Sequence, residues 1–160
     1  MKNLLRRTCL ALTLGLGVSL AAPGLSTAAQ DASGSETGAA ACPVSGQRVK
    51  TATSSAVFLV GPSNRLYWIT NEATYFRLWD SWNGIATVPD SALSCWEDSY
   101  PLTYSLLAKT STSPRVYIWD DSYDDYRWIT SEAVFNKYGF SWSKIITSSS
   151  VPAYGPNWSS

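Results

Sequence analysis

The chain has 160 residues, 45% of them apolar and 13% aromatic, with 12 basic and 12 acidic side chains, eight tryptophans and no histidine. That length suits one small domain, or two units sharing one core. A balanced charge leaves no electrostatic footprint for nucleic acid or anionic membrane surfaces, and without histidine a Ser-His-Asp triad is excluded.

Lys2, Arg6 and Arg7 precede an apolar run from Leu10 to Ala22, and Ser26 to Ala29 offers small residues for cleavage. This pattern predicts a signal peptide over residues 1–29 and a secreted, extracellular product. The run is shorter than the roughly 20 apolar residues a membrane span requires. Cys9 leaves with the signal, and losing its three basic residues takes Lys+Arg from 12 to 9 against 12 acidic residues, a net charge of −3.

Residues 30–46 read as a flexible N-terminal tail. From Gln30 to Ala41 the composition is Gly, Ala, Ser and acidic residues, too little apolar surface to offset ordering entropy. Ser35, Ala39, Ala40 and Ala41 are the candidates for a segment that orders on a partner; the alternative is a plain spacer. The two remaining cysteines, Cys42 and Cys95, are predicted to pair in an exported protein. Their bridge closes 95 − 42 = 53 residues. In the chain-entropy view a loop of that size is worth about 4 kcal/mol.

Beyond Gly46 the chain writes one pattern twice, in units 47–105 and 106–160. Trp68-Ile69-Thr70-Asn71-Glu72-Ala73 returns as Trp128-Ile129-Thr130-Ser131-Glu132-Ala133, and Trp82 returns as Trp142 at the same spacing of 60. Upstream, Lys50-Thr51 and Val57 recur as Lys109-Thr110 and Val116 at a spacing of 59, so the second copy has one extra residue in its turn. In each unit a strand ends at Lys50 or Lys109, and β-rich runs follow at Val57–Val60 and Val116–Trp119. Turns at Gly61–Asn64 and Asp120–Asp125 lead into strands at Leu66–Thr70 and Tyr126–Thr130. Asn71 and Ser131 are N-caps for short helices, with Glu72 and Glu132 in the first turn and Gly139 a left-handed stop in the second copy. Final strands run through Ile85–Val88 and Ile145–Thr147. The predicted fold class is α+β: two tandem, quasi-equivalent β-hairpin–short helix–strand repeats packed into one small disulfide-closed domain.

Residues present in both copies, Trp68 with Trp128 and Trp82 with Trp142, are assigned to the shared core because large aromatics bury most area. The aromatics without a counterpart are the candidate binding residues: Phe76, Trp79, Trp96, Trp119, Tyr123 and Trp158. The carboxylates of Asp120, Asp121, Asp124 and Asp125 lack calcium-loop spacing and read as a solvated hairpin tip. No phosphate loop or nucleophile elbow occurs, and Glu72 and Glu132 sit where helix capping explains both. A non-enzymatic protein without cofactor or metal is predicted.

The second copy's Trp128-Ile129-Thr130, Glu132, Phe135, Gly139, Trp142 and Ile145 resembles a short repeat of exported bacterial proteins, often found in tandem. The likeness covers about Arg48 to Pro156, and the first copy departs from it with Trp79 in the glycine's place. In organisation the chain is similar to the small adaptor subunits of the secreted umbrella toxin particles of streptomycetes. That resemblance implies a bridge between a lectin-bearing subunit and a large repeat-containing toxin. The alternative is a carbohydrate or cell-wall module that stacks sugars on Trp79, Trp96, Trp119 and Tyr123.

Overall fold

Two three-stranded antiparallel meanders, the first extended by two parallel strands and the second by one, carry the fold in the computed structural model, which describes residues 41–159. Strand β1 (Arg48–Thr51) pairs with β2 (Val57–Val60), and β2 with β3 (Leu66–Ile69). After helix α1 (Glu72–Leu78) the chain returns as β4 (Ile85–Val88), parallel to β1, and then adds β5 (Tyr100–Leu102) parallel to β3. The second half supplies β6 (Leu107–Thr110), β7 (Tyr117–Asp120), β8 (Asp125–Trp128), helix α2 (Glu132–Lys137) and β9 (Ile145–Ser148). The order β4-β1-β2-β3 in the first sheet has its counterpart in β9-β6-β7-β8 in the second. The result is a small mixed α+β domain with two sheets. The Cys42–Cys95 disulfide closes it, with an S–S distance of 2.01 Å and Cα atoms 5.9 Å apart, in agreement with the sequence.

Local chemistry explains the breaks. In the first hairpin Ser63 and Asn64 take φ of 55° and 56° after Pro62 has set the entry to the turn. Asn71 Oδ1 accepts from the Thr74 N–H at 2.8 Å and Ser131 Oγ from the Val134 N–H at 3.2 Å, so both predicted caps form. Gly139 leaves α2 at φ 61°. The corresponding exit from α1 needs no left-handed residue: Trp79 turns off extended, at φ −131°, and carries its indole inward. The second-half strands sit slightly off the expected runs, with β7 reaching Asp120 and β8 stopping at Trp128.

One core serves both halves. Val57, Leu59, Tyr67 and Ile69 join Val116, Ile118 and Ile129, together with Tyr75 and Leu78 of α1 and Phe135 of α2, in a single buried cluster. Strand geometry then sends Phe58 and Trp68, partners in the β2–β3 register, to the opposite face. The backbone crosses the seam where the Ser141 N–H donates to Leu78 O at 2.9 Å.

The acidic turn is no solvated tip. Asp120 is fully buried, and its Oδ2 accepts from Arg127 Nη1 at 2.7 Å and from the Tyr67 hydroxyl at 3.2 Å. Arg127 donates further to Pro156 O at 2.7 Å and Asn157 O at 2.9 Å, which holds the segment that delivers Trp158. Asp121 accepts from the Thr103 N–H at 2.9 Å and the Tyr104 N–H at 3.1 Å, and Asp125 from the Tyr154 and Gly155 N–H groups at 2.7 and 2.6 Å. These carboxylates anchor backbone from two neighbouring segments, leaving exposed Asp124 at the tip.

The expected tail also ends earlier than 46. Pro43 is buried, the Gly46 N–H donates to Val60 O at 2.7 Å, and the Ser45 and Tyr138 hydroxyls lie 2.8 Å apart. The signal segment and Ser35, Ala39 and Ala40 lie outside the described residues. Among the described residues no helix is long and apolar enough to cross a membrane.

Removing one partner of the buried pair leaves a charge without compensation, so Asp120→Ala costs about 3–5 kcal/mol, read from urea unfolding. Burial, reinforced by Asp120, holds the Tyr67 phenol far above its ordinary value, and burial raises Tyr75 and Tyr138 as well. A phenol with a raised folded pKa supports the fold fully below its unfolded value and loses that contribution as pH rises toward the folded one. Stability therefore holds to about pH 10 and falls above it. In Tyr138→Phe, followed by circular dichroism, that alkaline fall is shallower.

Candidate functional site

The aromatics that recur in register point out of the protein. Trp68, Trp82 and Trp142 are 42%, 45% and 51% exposed, and Trp128 is half-buried. This corrects their assignment to the core. The sheet face that carries Trp68 is set by its neighbours Tyr67 and Ile69, both buried, and in the second half by Arg127 and Ile129, also buried.

Each pair of outward tryptophans lines a cleft. The first, of about 260 Å3, is formed by Trp68, Tyr75, Trp82, Glu72 and the turn at Ser54–Ala56. The second, of about 250 Å3, is formed by Trp128, Phe135, Trp142, Glu132 and the turn at Pro114–Arg115. Position by position these are equivalent places in the two halves, at the spacings of 60 and 59 found in the sequence. In both, an aromatic from the helix braces the outer indole: Tyr75 stacks on Trp82 at a centroid distance of 3.9 Å, and Phe135 on Trp142 at 4.0 Å. Phe76 adds an edge contact to Trp82 at 5.1 Å, while its counterpart Asn136 accepts from the Trp142 indole N–H at 3.3 Å. Such held rings cost little entropy to bind against.

The clefts differ at the turn. Arg115 places its guanidinium carbon 4.8 Å from the centre of the Trp128 ring, whereas Ala56 occupies the matching place beside Trp68. Glu72 forms no ion pair among the described residues. What such a cleft can do is stack, accept a cation against an indole face, and accept hydrogen bonds at one carboxylate.

The residues singled out as unshared scatter. Trp79 and Trp158 are buried rather than exposed, at 1% and 0%. Trp79 fills the seam, where its Nε1–H donates to Tyr138 O at 3.0 Å and its ring lies 5.7 Å from Phe140. Trp158 bridges to Ile129 in parallel, the place that Leu102 takes beside Ile69 in the first half, which corrects the expectation that it lies outside the shared pattern. Its own Nε1 has no acceptor among the described residues. Trp96 is half-buried and donates to Asn64 O beside Cys95. Trp119 is half-buried, edge-on to Tyr126 at 5.1 Å. Tyr123 is 39% exposed and accepts from Arg65 Nη1 at 2.6 Å. Ala41, the described residue of the tail candidates, is exposed. A platform of Trp79, Trp96, Trp119 and Tyr123 is therefore not formed, since Trp79 is inside the core. The signal that could have found the clefts is the recurrence in the sequence: a tryptophan at the matching place of both halves, next to a capped helix start.

No group of three or more His, Cys, Asp or Glu side chains suited to a metal ion occurs among the described residues. No family model, curated protein or solved structure matches the chain.

Burial separates the two kinds of tryptophan experimentally. Trp79→Ala lowers unfolding free energy by about 3–5 kcal/mol, as expected for a core aromatic, while Trp68→Ala stays within about 0.5 kcal/mol in the same urea titration.

Proposed function

We propose that this protein is a secreted, non-enzymatic adaptor that holds two dissimilar exported proteins together. The observation that carries this reading is the pair of equivalent aromatic clefts with different turn residues on one disulfide-closed scaffold. Two faces of common origin and different chemistry suit two partners better than one substrate. The two halves are tandem copies of a single β-hairpin–short helix–strand unit; matched strand order, matched pairing register and matched side-chain caps at Asn71 and Ser131 support this. The disulfide agrees with an oxidising, extracellular setting. In that reading the partners are a lectin-bearing subunit and a large repeat-containing toxin, as in umbrella particles. The tail through Ala41 adds an extended segment whose ordering cost leaves most of the affinity to the folded clefts.

Exposed Trp82 and Trp142 indoles favour a second reading, in which the clefts stack sugar rings. Affinity purification of the tagged protein from culture supernatant, with a parallel pull-down on peptidoglycan, chitin and cellulose, separates the two. Two co-purifying exported proteins, one of them lost in Trp68→Ala and retained in Trp142→Ala, are the expected outcome. Retention on a polysaccharide that disappears in Trp82→Ala, with no protein recovered, replaces the adaptor by a glycan module.

A further inference from the structure

The second cleft carries a built-in guide to what the first one takes. Arg115 lies over the Trp128 face at 4.8 Å, between the turn and the indole, and Trp128 is correspondingly less exposed than Trp68. In the first half the chain puts Ala56 at that position, so the Trp68 face is 42% exposed with no guanidinium above it. The carboxylate at the rim is kept: Glu72 lines the first cleft as Glu132 lines the second. The second cleft thus holds one cation and one anion, and the first holds the anion alone.

We infer that the Trp68 cleft is a receptor for an arginine side chain presented by a partner protein, which takes the place that Arg115 occupies in the other half. A guanidinium is planar, so it lies flat on an indole face and still directs its N–H groups sideways to a carboxylate. Glu72, free of any ion pair among the described residues, lines the same cleft and supplies its negative charge, as Glu132 does beside Arg115 without a direct ion pair, and Trp82, braced by Tyr75 at 3.9 Å, also lines the cleft. A lysine ammonium lacks the flat surface, and an uncharged side chain lacks the attraction to both ring and carboxylate. The inference deepens the adaptor reading, and rests on it only for the statement that the arginine belongs to another exported protein.

The site itself is tested without any partner. The indole N–H signals of the 15N-labelled protein, assigned through Trp68→Phe and Trp128→Phe, are followed while the blocked peptide acetyl-Gly-Arg-Gly-amide is added to millimolar levels. The same titration is run with citrulline, and with lysine, in place of arginine. The expected result is a saturable shift of the Trp68 and Trp82 signals with arginine, several-fold weaker with lysine and weaker again with citrulline, while Trp128 stays still. Glu72→Gln weakens the response several-fold. Ala56→Arg abolishes it, and Arg115→Ala makes Trp128 responsive; Arg115 is exposed and Ala56 half-buried in a turn, and an unchanged thermal transition verifies the fold of each variant. Equal responses to arginine and citrulline, a response that survives Ala56→Arg, or still indoles throughout would each overturn the assignment. Still indoles alongside two co-purifying proteins remove the arginine site and leave the adaptor. A clear arginine response without any co-purifying protein does the reverse.

Discussion

The buried Arg127–Asp120 pair is the contact on which the arrangement of the two halves depends. Its two side chains are 4% and 0% exposed, so neither charge is balanced by water. Desolvation of this kind is repaid only when the remaining hydrogen-bonding capacity is filled, and here it is. Arg127 divides its donors among the Asp120 carboxylate, the Tyr67 hydroxyl of the other half, and the carbonyls of Pro156 and Asn157. Tyr67 in turn sits against Gly61, where a β-carbon would come within 2.4 Å of its ring. The network therefore joins the first sheet, the second sheet and the segment leading to Trp158 in one set of bonds with little freedom to rearrange.

Matching positions in the two halves do different work around this network. Tyr67 and Arg127 stand at the same point of their sheets, one apolar with a hydroxyl end and the other cationic, and they bond to each other across the seam. Gly61 gives room where Asp120 gives charge. Trp79 fills the interior where Gly139 supplies only a turn, and Asp80 accepts from Ser141 and Ser143 while its counterpart Phe140 is buried. Two identical halves would duplicate every side chain and meet like against like. The observed differences make the contact complementary, and the outer clefts differ as well.

Most strand positions, both helix caps, the glycine stop and the disulfide were legible in the sequence because each is decided by neighbours a few residues away or by cysteine number, whereas β5, around Pro101, carries no such local signal. Which face of a strand turns inward was not. Leu66-Tyr67-Trp68-Ile69 is apolar throughout and offers no alternation to read. In Tyr126-Arg127-Trp128-Ile129 alternation misleads, because it sends the arginine to solvent and the tryptophan inward. Only the Asp120 carboxylate, on the neighbouring strand, makes a buried arginine acceptable and reverses the choice. The same non-local cause hid the role of the acidic turn, whose carboxylates bond to backbone some 17 to 30 residues away. Trp158 was misplaced for a related reason: its partner, Ile129, lies across an irregular stretch that carries no periodic signal.

The disulfide has a mechanical side. It joins Cys42, just before β1, to Cys95, beyond β4, across a separation of 53 residues. A pull exerted between the residues ahead of Cys42 and the second half travels through the sulfur–sulfur bond, and the strands β1 to β4 lie off the line of tension. The stretch from Cys42 to Cys95 is a side loop on a covalent shunt, and stretching cannot peel β1 to β4 apart while the bridge is intact. Load falls instead on β5, which lies along β3, and on the linker that Asp121 grips at Thr103 and Tyr104. A fold bridged this way keeps the Trp68 cleft in shape under strain and concentrates any yielding at the joint between the halves.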